Sequence, residues 1–254
     1  AEFSAQRRSA AHHRNRGLPR PLSVLSDAES TAIWLTLELA AVSTLFLLAA
    51  GVPLALWIVF TRSRLRPVVE ALVGLPLILP PTVLGFYLLV LLGPNGPVGA
   101  SWEALGGPRL VFSFPGLVIG SVVYSLPFVV HPLANAFAAV DLRLLEAART
   151  LGASRFDRFR TVLLPLARNG VVTAATLGFA HTVGEFGVVL MIGGNLPGKT
   201  QVLSIAIYDH VEALDFARAH ALSALMLAFS FVVLLGVYVL HRRVDVLVRS
   251  RRER

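Results

Sequence analysis

Residues 193–200 read GGNLPGKT, a literal match to the G-x-x-x-x-G-K-[ST] pattern whose backbone amides cradle phosphates. Three features speak against nucleotide chemistry. The apolar run before it, about 170–192, is long enough to be a membrane span. The charge pattern places this loop on the side away from the basic loops. The next apolar run that ends in an acid reaches Asp209, nine residues past Thr200, too soon for a magnesium-holding strand. The segment reads better as an outer loop in which Asn195, Pro197 and Gly198 make turns. No Ser/His/Asp set, no H-E-x-x-H and no cluster of metal ligands is found, so neither a catalytic site nor a metal is expected. With no cysteine, disulfides and thiolate metal sites are excluded.

The remaining groups with chemical potential lie in apolar surroundings. Glu185 is a carboxylate deep in a hydrophobic stretch, where ionisable groups are costly and usually functional. His181 stands four residues earlier, on the same helical face. One reading is a local His181–Glu185 pair that orients the helix or a gate; a protonated Glu hydrogen-bonded within the bundle is the other. A charged Glu185 would repel any anion and is not expected to hold one directly. His131, in the inner part of another apolar stretch, is a candidate source of positive potential or a packing residue. Pro76, Pro80 and Pro81 remove backbone donors inside a third. Pro81 lies ten residues past Ala71, ~15 Å along a helix and so near mid-membrane. The prolines mark either a pathway-lining kink, with Thr82 facing the pore, or a kink packed by neighbours.

These residues need helices to position them. The 254 residues are 55% hydrophobic and only 15% charged, against about a quarter charged in soluble proteins. Five stretches can cross a ~30 Å hydrocarbon core: about 31–60, 71–92, 114–138, 170–192 and 218–240. The first is long for one crossing, and Gly51 and Pro53 are its expected bend sites. Arg62, Arg64 and Arg66, the six arginines of residues 141–169, and those of residues 242–254 all fall on one side, which the positive-inside rule makes cytoplasmic. That distribution accounts for the net charge of +8 without nucleic acid. Residues 1–27 carry Arg7, Arg8, Arg14, Arg16 and Arg20, although an odd number of spans would place them outside. They contain no apolar stretch of their own and are expected to be a disordered tail rather than a complete signal peptide. The domain plan is thus a basic tail (1–27), a membrane domain (28–241) and a basic cytoplasmic C-terminal tail (242–254).

The most informative loop is DLRLLEAARTLGASRFDRFRTVLLPLARN, residues 141–169. Leu144, Ala148 and Leu151 share one helical face. Gly152 can end that helix in a left-handed cap. A second helix begins at Arg155, and Pro165 suits the first turn of the next span. Glu146-Ala147-Ala148, Gly152 and Val162-Leu163-Leu164-Pro165 at these spacings resemble the EAA loop of ABC-importer permeases. Residues 75–85 (LPLILPPTVLG), Gly184-Glu185-Phe186-Gly187 and residues 194–200 are similar to signatures of the molybdate permeases. Sulfate permeases, close relatives, tend to carry Tyr where this chain has Phe186, which favours molybdate. The resemblance covers most of residues 28–241. It implies an all-α polytopic bundle of the MetI-like fold, pairing with a second copy as a homodimer. It implies two cytoplasmic ABC ATPase subunits gripping Glu146, Ala147, Ala148, Gly152, Leu164 and Pro165, and an extracytoplasmic oxyanion-binding protein. No cofactor is expected on this chain; ATP is used by the partner. Rivals from other classes are a proton-coupled transporter using Glu185 and a membrane enzyme, and neither calls for the spacing of residues 146–165.

Overall fold

The computed structural model describes residues 25–252. The expectation of disorder for residues 1–27 falls almost wholly outside these. Eleven α-helices follow one another, with no strand among the described residues: α1 Asp27–Phe60, α2 Arg66–Ile78, α3 Pro81–Leu92, α4 Pro97–Ala104, α5 Phe114–Ala138, α6 Leu142–Thr150, α7 Arg155–Arg158, α8 Leu164–Val183, α9 Gly187–Gly193, α10 Leu203–Glu212 and α11 Phe216–Arg252. Among the described residues, five helical stretches are long and apolar enough to cross a bilayer: Asp27–Phe60, Pro81–Ala104, Phe114–Ala138, Arg155–Val183 and Phe216–Gly236.

α1 starts where Ser26 and Glu29 form a capping box, each side chain bonding the other's backbone N–H. It runs unbroken for 34 residues with Pro53 inside it, ~51 Å at the helical rise and therefore longer than the hydrocarbon core. Gly51, expected as a bend site, is a contact point. A Cβ there would lie 3.1 Å from Val129 of α5, and one on Gly178 of α8 would lie 2.6 Å from the same valine. Small residues thus let α1, α5 and α8 close around Val129, the packing that holds helices together where lipid supplies no hydrophobic drive.

Two core clusters define the two ends of the bundle. At one end Ala55, Ile58, Val73, Phe137, Val140 and Leu163 pack together, so the end of α1, the start of α2 and the loop carrying α6 lie side by side. Two of the three arginine-rich segments, those after α1 and after α5, thus lie at one end of the bundle. At the other end Leu35, Leu39, Leu117, Val202 and Ile205 pack together. There α10 is fixed by polar contacts. Leu203 N donates to Thr36 Oγ1 at 2.8 Å. His210 Nε2 and Arg218 Nη1 lie 3.2 and 3.1 Å from Glu29 Oε1, joining α10 and α11 to the first turn of α1. Glu29 is buried, and its carboxylate is the shared partner of three segments.

Several boundaries differ from expectation. The second apolar stretch is two helices, because Pro80 and Pro81 supply no N–H to the carbonyls of Pro76 and Leu77. The fourth is also interrupted, after Val183. The second helix of the 141–169 loop runs on into α8 through a π-helical turn, Phe159–Leu163. Leu164 N bonds Phe159 O there, one residue further back than in an α-helix, which suits a turn just upstream of donor-less Pro165. Residues 242–252, expected as a tail, continue α11.

Thr36→Val removes the buried acceptor of Leu203 N and is expected to destabilise the protein by about 1–3 kcal/mol. Thr36→Ser is expected to retain most of that stability. Unfolding in detergent, followed by helical circular dichroism, checks both.

Candidate translocation site

The two helix breaks lie against each other. Leu79 and Pro80 are extended between α2 and α3, and residues 184–186 separate α8 from α9. A Cβ on Gly187 would come 2.7 Å from Pro81 Cβ, and one on Gly85 the same distance from Met191 Cβ. Glycine on each helix therefore permits the contact of α3 with α9. Irregular backbone at membrane depth is tolerated where protein or a water-filled cavity covers it, and here each break helps to cover the other. Beside them opens a cavity of about 530 Å³ whose lining includes Pro81, Thr82, Tyr124, His181, Glu185 and Met191.

Within this cavity the expected His181–Glu185 pair does not form. His181 ends α8, and Nδ1 lies 2.9 Å from Ser125 Oγ of α5. Its ring stacks on Phe128 with centroids 3.8 Å apart and leans on Tyr124 at 4.9 Å. Glu185 belongs to the break, so helical i, i+4 spacing does not govern it. Only 4% of Glu185 is exposed, and neither carboxylate oxygen has a hydrogen-bond partner among the described residues. Ser121 of α5 lies within electrostatic reach, but its hydroxyl forms no bond of good geometry. The alternative, a Glu hydrogen-bonded within the bundle, is likewise not observed for the side chain. The backbone is held instead: Ser204 Oγ of α10 donates to Glu185 O at 2.6 Å.

The other expected residues lie elsewhere. His131 is exposed and lines a separate cavity of about 330 Å³ with Glu70 and Asn135. Glu146 and Ala147 are exposed on α6, and Ala148 is half-buried. α6 closes in a Schellman motif: Gly152 has φ +84°, its N–H bonds Arg149 O at 3.0 Å, and Ala153 N bonds Ala148 O at 3.0 Å. Ser154 and Asp157 then cap α7 reciprocally. Leu151 and Phe156 are 88% and 67% exposed on this hairpin. Leu164 is half-buried and Pro165 exposed in the first turn of α8.

In the GGNLPGKT loop the amides of Lys199, Thr200 and Gln201 all point to Leu196 O at 3.0–3.1 Å. Thr200 is buried and its hydroxyl donates to Gly193 O at 2.7 Å. Asn195 Nδ2 and Gln201 Nε2 both donate to Asp209 of α10. Gly198, with φ +73°, supplies the turn, and Pro197 stands beside it. The amides of Leu196, Lys199 and Thr200, three of those that would cradle a phosphate, are engaged within the loop itself.

The sequence model of the family described as binding-protein-dependent transport system inner membrane component matches residues 48–252. The chain belongs to that family. Among relatives of this permease is the molybdenum transport system permease protein ModB of Azotobacter vinelandii, 58% identical over 214 residues that cover 84% of this chain and 95% of the relative. The protein of the same name from Escherichia coli K12 is 35% identical over 189 residues, covering 74% and 82%. The crystal structure of a bacterial ABC transporter involved in the import of alginate matches with a TM-score of 0.73 at 19% identity, over 95% of this permease and 89% of that chain. This likeness speaks for the fold.

Contacts to Ser125, Phe128 and Ser204 were not legible in the sequence, because each partner is remote along the chain and hydroxyls are common in helices. Gly187→Leu is expected to drive α9 off Pro81 and lower the thermal midpoint of the purified protein. Gly184→Ala, whose added carbon would meet nothing nearer than 3.8 Å, is expected to leave it unchanged. Glu185→Gln, which replaces a buried group without a partner by a neutral isostere, is expected to hold or raise the same midpoint. A fall would show that the carboxyl has a partner within the folded protein.

Proposed function

We propose that this chain is the membrane-spanning permease subunit of an ATP-driven ABC importer for a tetrahedral oxyanion, namely molybdate. The observation that carries this reading is the 58% identity to a molybdenum transport permease across nearly all of that relative. The chain holds no chemistry of its own in this scheme. It supplies a pathway and a mechanical link, while a cytoplasmic ATPase pair uses ATP.

The hairpin of α6 and α7 is the handle. It projects Leu151 and Phe156 from the end of the bundle where the arginine-rich segments lie, the cytoplasmic side by the positive-inside rule. Glu146, Ala147 and Ala148 offer a docking face with charge at one edge and small side chains that permit close approach. The hairpin is continuous with α8 through Leu164 and Pro165, and α8 ends at the break beside Glu185. A push on the hairpin therefore has a helical route to the cavity. α10 and the loop with Asn195, Pro197 and Gly198 occupy the opposite, extracytoplasmic end, where an oxyanion-binding protein delivers its cargo. A second copy of the chain completes the pathway, with Pro80, Pro81, Thr82, His181 and Glu185 on its wall and His131 nearer the cytoplasmic mouth. Closure of the ATPases moves both hairpins and switches the breaks between inward-open and outward-open arrangements.

Gly152→Val forces a β-branched residue into a left-handed conformation. It is expected to leave membrane insertion intact and to abolish the coupling of ATP hydrolysis to uptake; normal coupled uptake would count against the docking role. The chain lacks cysteine, so Thr82→Cys offers a unique thiol. It is expected to react with a small water-soluble maleimide in the assembled transporter and to be protected by molybdate during turnover. Competition by sulfate and tungstate in the same uptake assay identifies the preferred anion.

A further inference from the structure

One arrangement of hydrogens satisfies all three contacts of the chain around His181 at once. Thr182 Oγ1 donates to Gly178 O, four residues back, at 3.0 Å, which uses its single hydrogen. Thr182 must then accept in its 3.2 Å contact with Ser125 Oγ. Ser125, having given its own hydrogen to Thr182, must accept from His181 Nδ1–H at 2.9 Å. Donation therefore runs from the ring through two hydroxyls to a backbone carbonyl, and the neutral ring carries its lone pair on Nε2. Phe128 stacked on the imidazole at 3.8 Å holds its plane. With Nδ1 tied to α5, Nε2 is the nitrogen left to meet whatever occupies the cavity that His181 lines, and it has no hydrogen-bond partner among the described residues.

A tetrahedral oxyanion offers acceptor oxygens, and a bare Nε2 is itself an acceptor. The two make a favourable contact only when a proton occupies Nε2, which turns it into a cationic donor. We propose that His181 Nε2 is the group that contacts the oxyanion in the translocation cavity, that it does so only together with one bound proton, and that Ser125 is its positioning residue. This rests on the reading that the cavity lies on the transport pathway. The proton comes from solvent onto the Nε2 lone pair and returns when the anion leaves; no covalent bond of the anion changes.

The titratable groups facing His181 are Tyr124 of α5 and Glu185 of the break; α3 and α9 add none to the lining. Of the other helices packed on α8, α1 leaves Glu38 exposed. The described side chains of α11 include His220, which is exposed, and Arg218, which is paired with Glu29. No fixed cation is thus present in the lining, and the imidazole is the one side chain there that can become positive. The anion's hold on the site is then conditional on a proton, which gives a weak and reversible stop along the route.

The test uses the whole transporter, with its ATPase and binding protein, in proteoliposomes, and reads molybdate uptake and ATP hydrolysis from pH 6 to pH 9. In the wild type the apparent KM is expected to rise with pH, by up to about tenfold per unit once the ring is neutral, with kcat changing far less. His181→Arg, permanently charged, is expected to give a low KM independent of pH. His181→Gln is expected to give a high KM independent of pH. Ser125→Ala is expected to keep the wild-type slope but displace it along the pH axis. A wild-type KM that does not move with pH, or His181 variants that retain the wild-type slope, would overturn the proposal. Should His181→Gln fail to assemble, the Arg variant against the wild type decides alone. Failure of the pathway reading is separately visible as a Thr82→Cys thiol that molybdate does not protect.

Discussion

Backbone polar groups have no water to turn to inside a bilayer, and this constraint organises the whole molecule. A helix satisfies it automatically; an interruption does not. This permease carries two interruptions, at Leu79–Pro80 and at residues 184–186, and tolerates them by setting Pro81 against Gly187 beside a shared cavity. Everything else in the bundle serves that juxtaposition. α1, α5 and α8 form the rigid centre around Val129, Ser204 ties α10 to the carbonyl of Glu185, and Ser125 orients the side chain that ends α8.

The hairpin and the cavity are connected by covalent continuity rather than by a relay of side chains. From Arg155 to Val183 the chain is one helical rod with a single π turn. A π turn adds one residue per hydrogen-bonded ring and locally widens the helix. It sits where the hairpin joins α8, at the least regular turn of the rod. Leu163 in that turn is buried against Phe137 and Val140, which anchors the joint to α5.

The features written in local patterns were readable from the sequence. The third span was expected over 114–138 and is Phe114–Ala138, since Ser113 and Pro115 mark its start and an unbroken apolar run follows. Gly152 declared its left-handed turn. Features that depend on distant partners were not readable. Pro80 and Pro81 announced an irregularity, but whether it was a kink or a full break depended on what covered the freed carbonyls. Glu185 was placed on a helix face shared with His181 because apolar hydropathy runs straight through residues 184–186; only the packing of Gly187 on Pro81 shows why the helix stops. The partners of His181 come from α5, more than 50 residues earlier, and no spacing rule reaches that far.

Glu29 has a consequence for how the subunit is made. Its carboxylate lies in the opening turn of α1, while Arg218, which pairs with it, stands 189 residues further along the chain, and His210, its other partner, on the helix before that. Until α10 and α11 have packed, the Glu29 carboxylate has only the capping bond to Ser26 N. The last helix therefore acts as a keystone. A chain cut before Arg218 would keep its earlier helices but lack the ionic latch that ties α11 to α1.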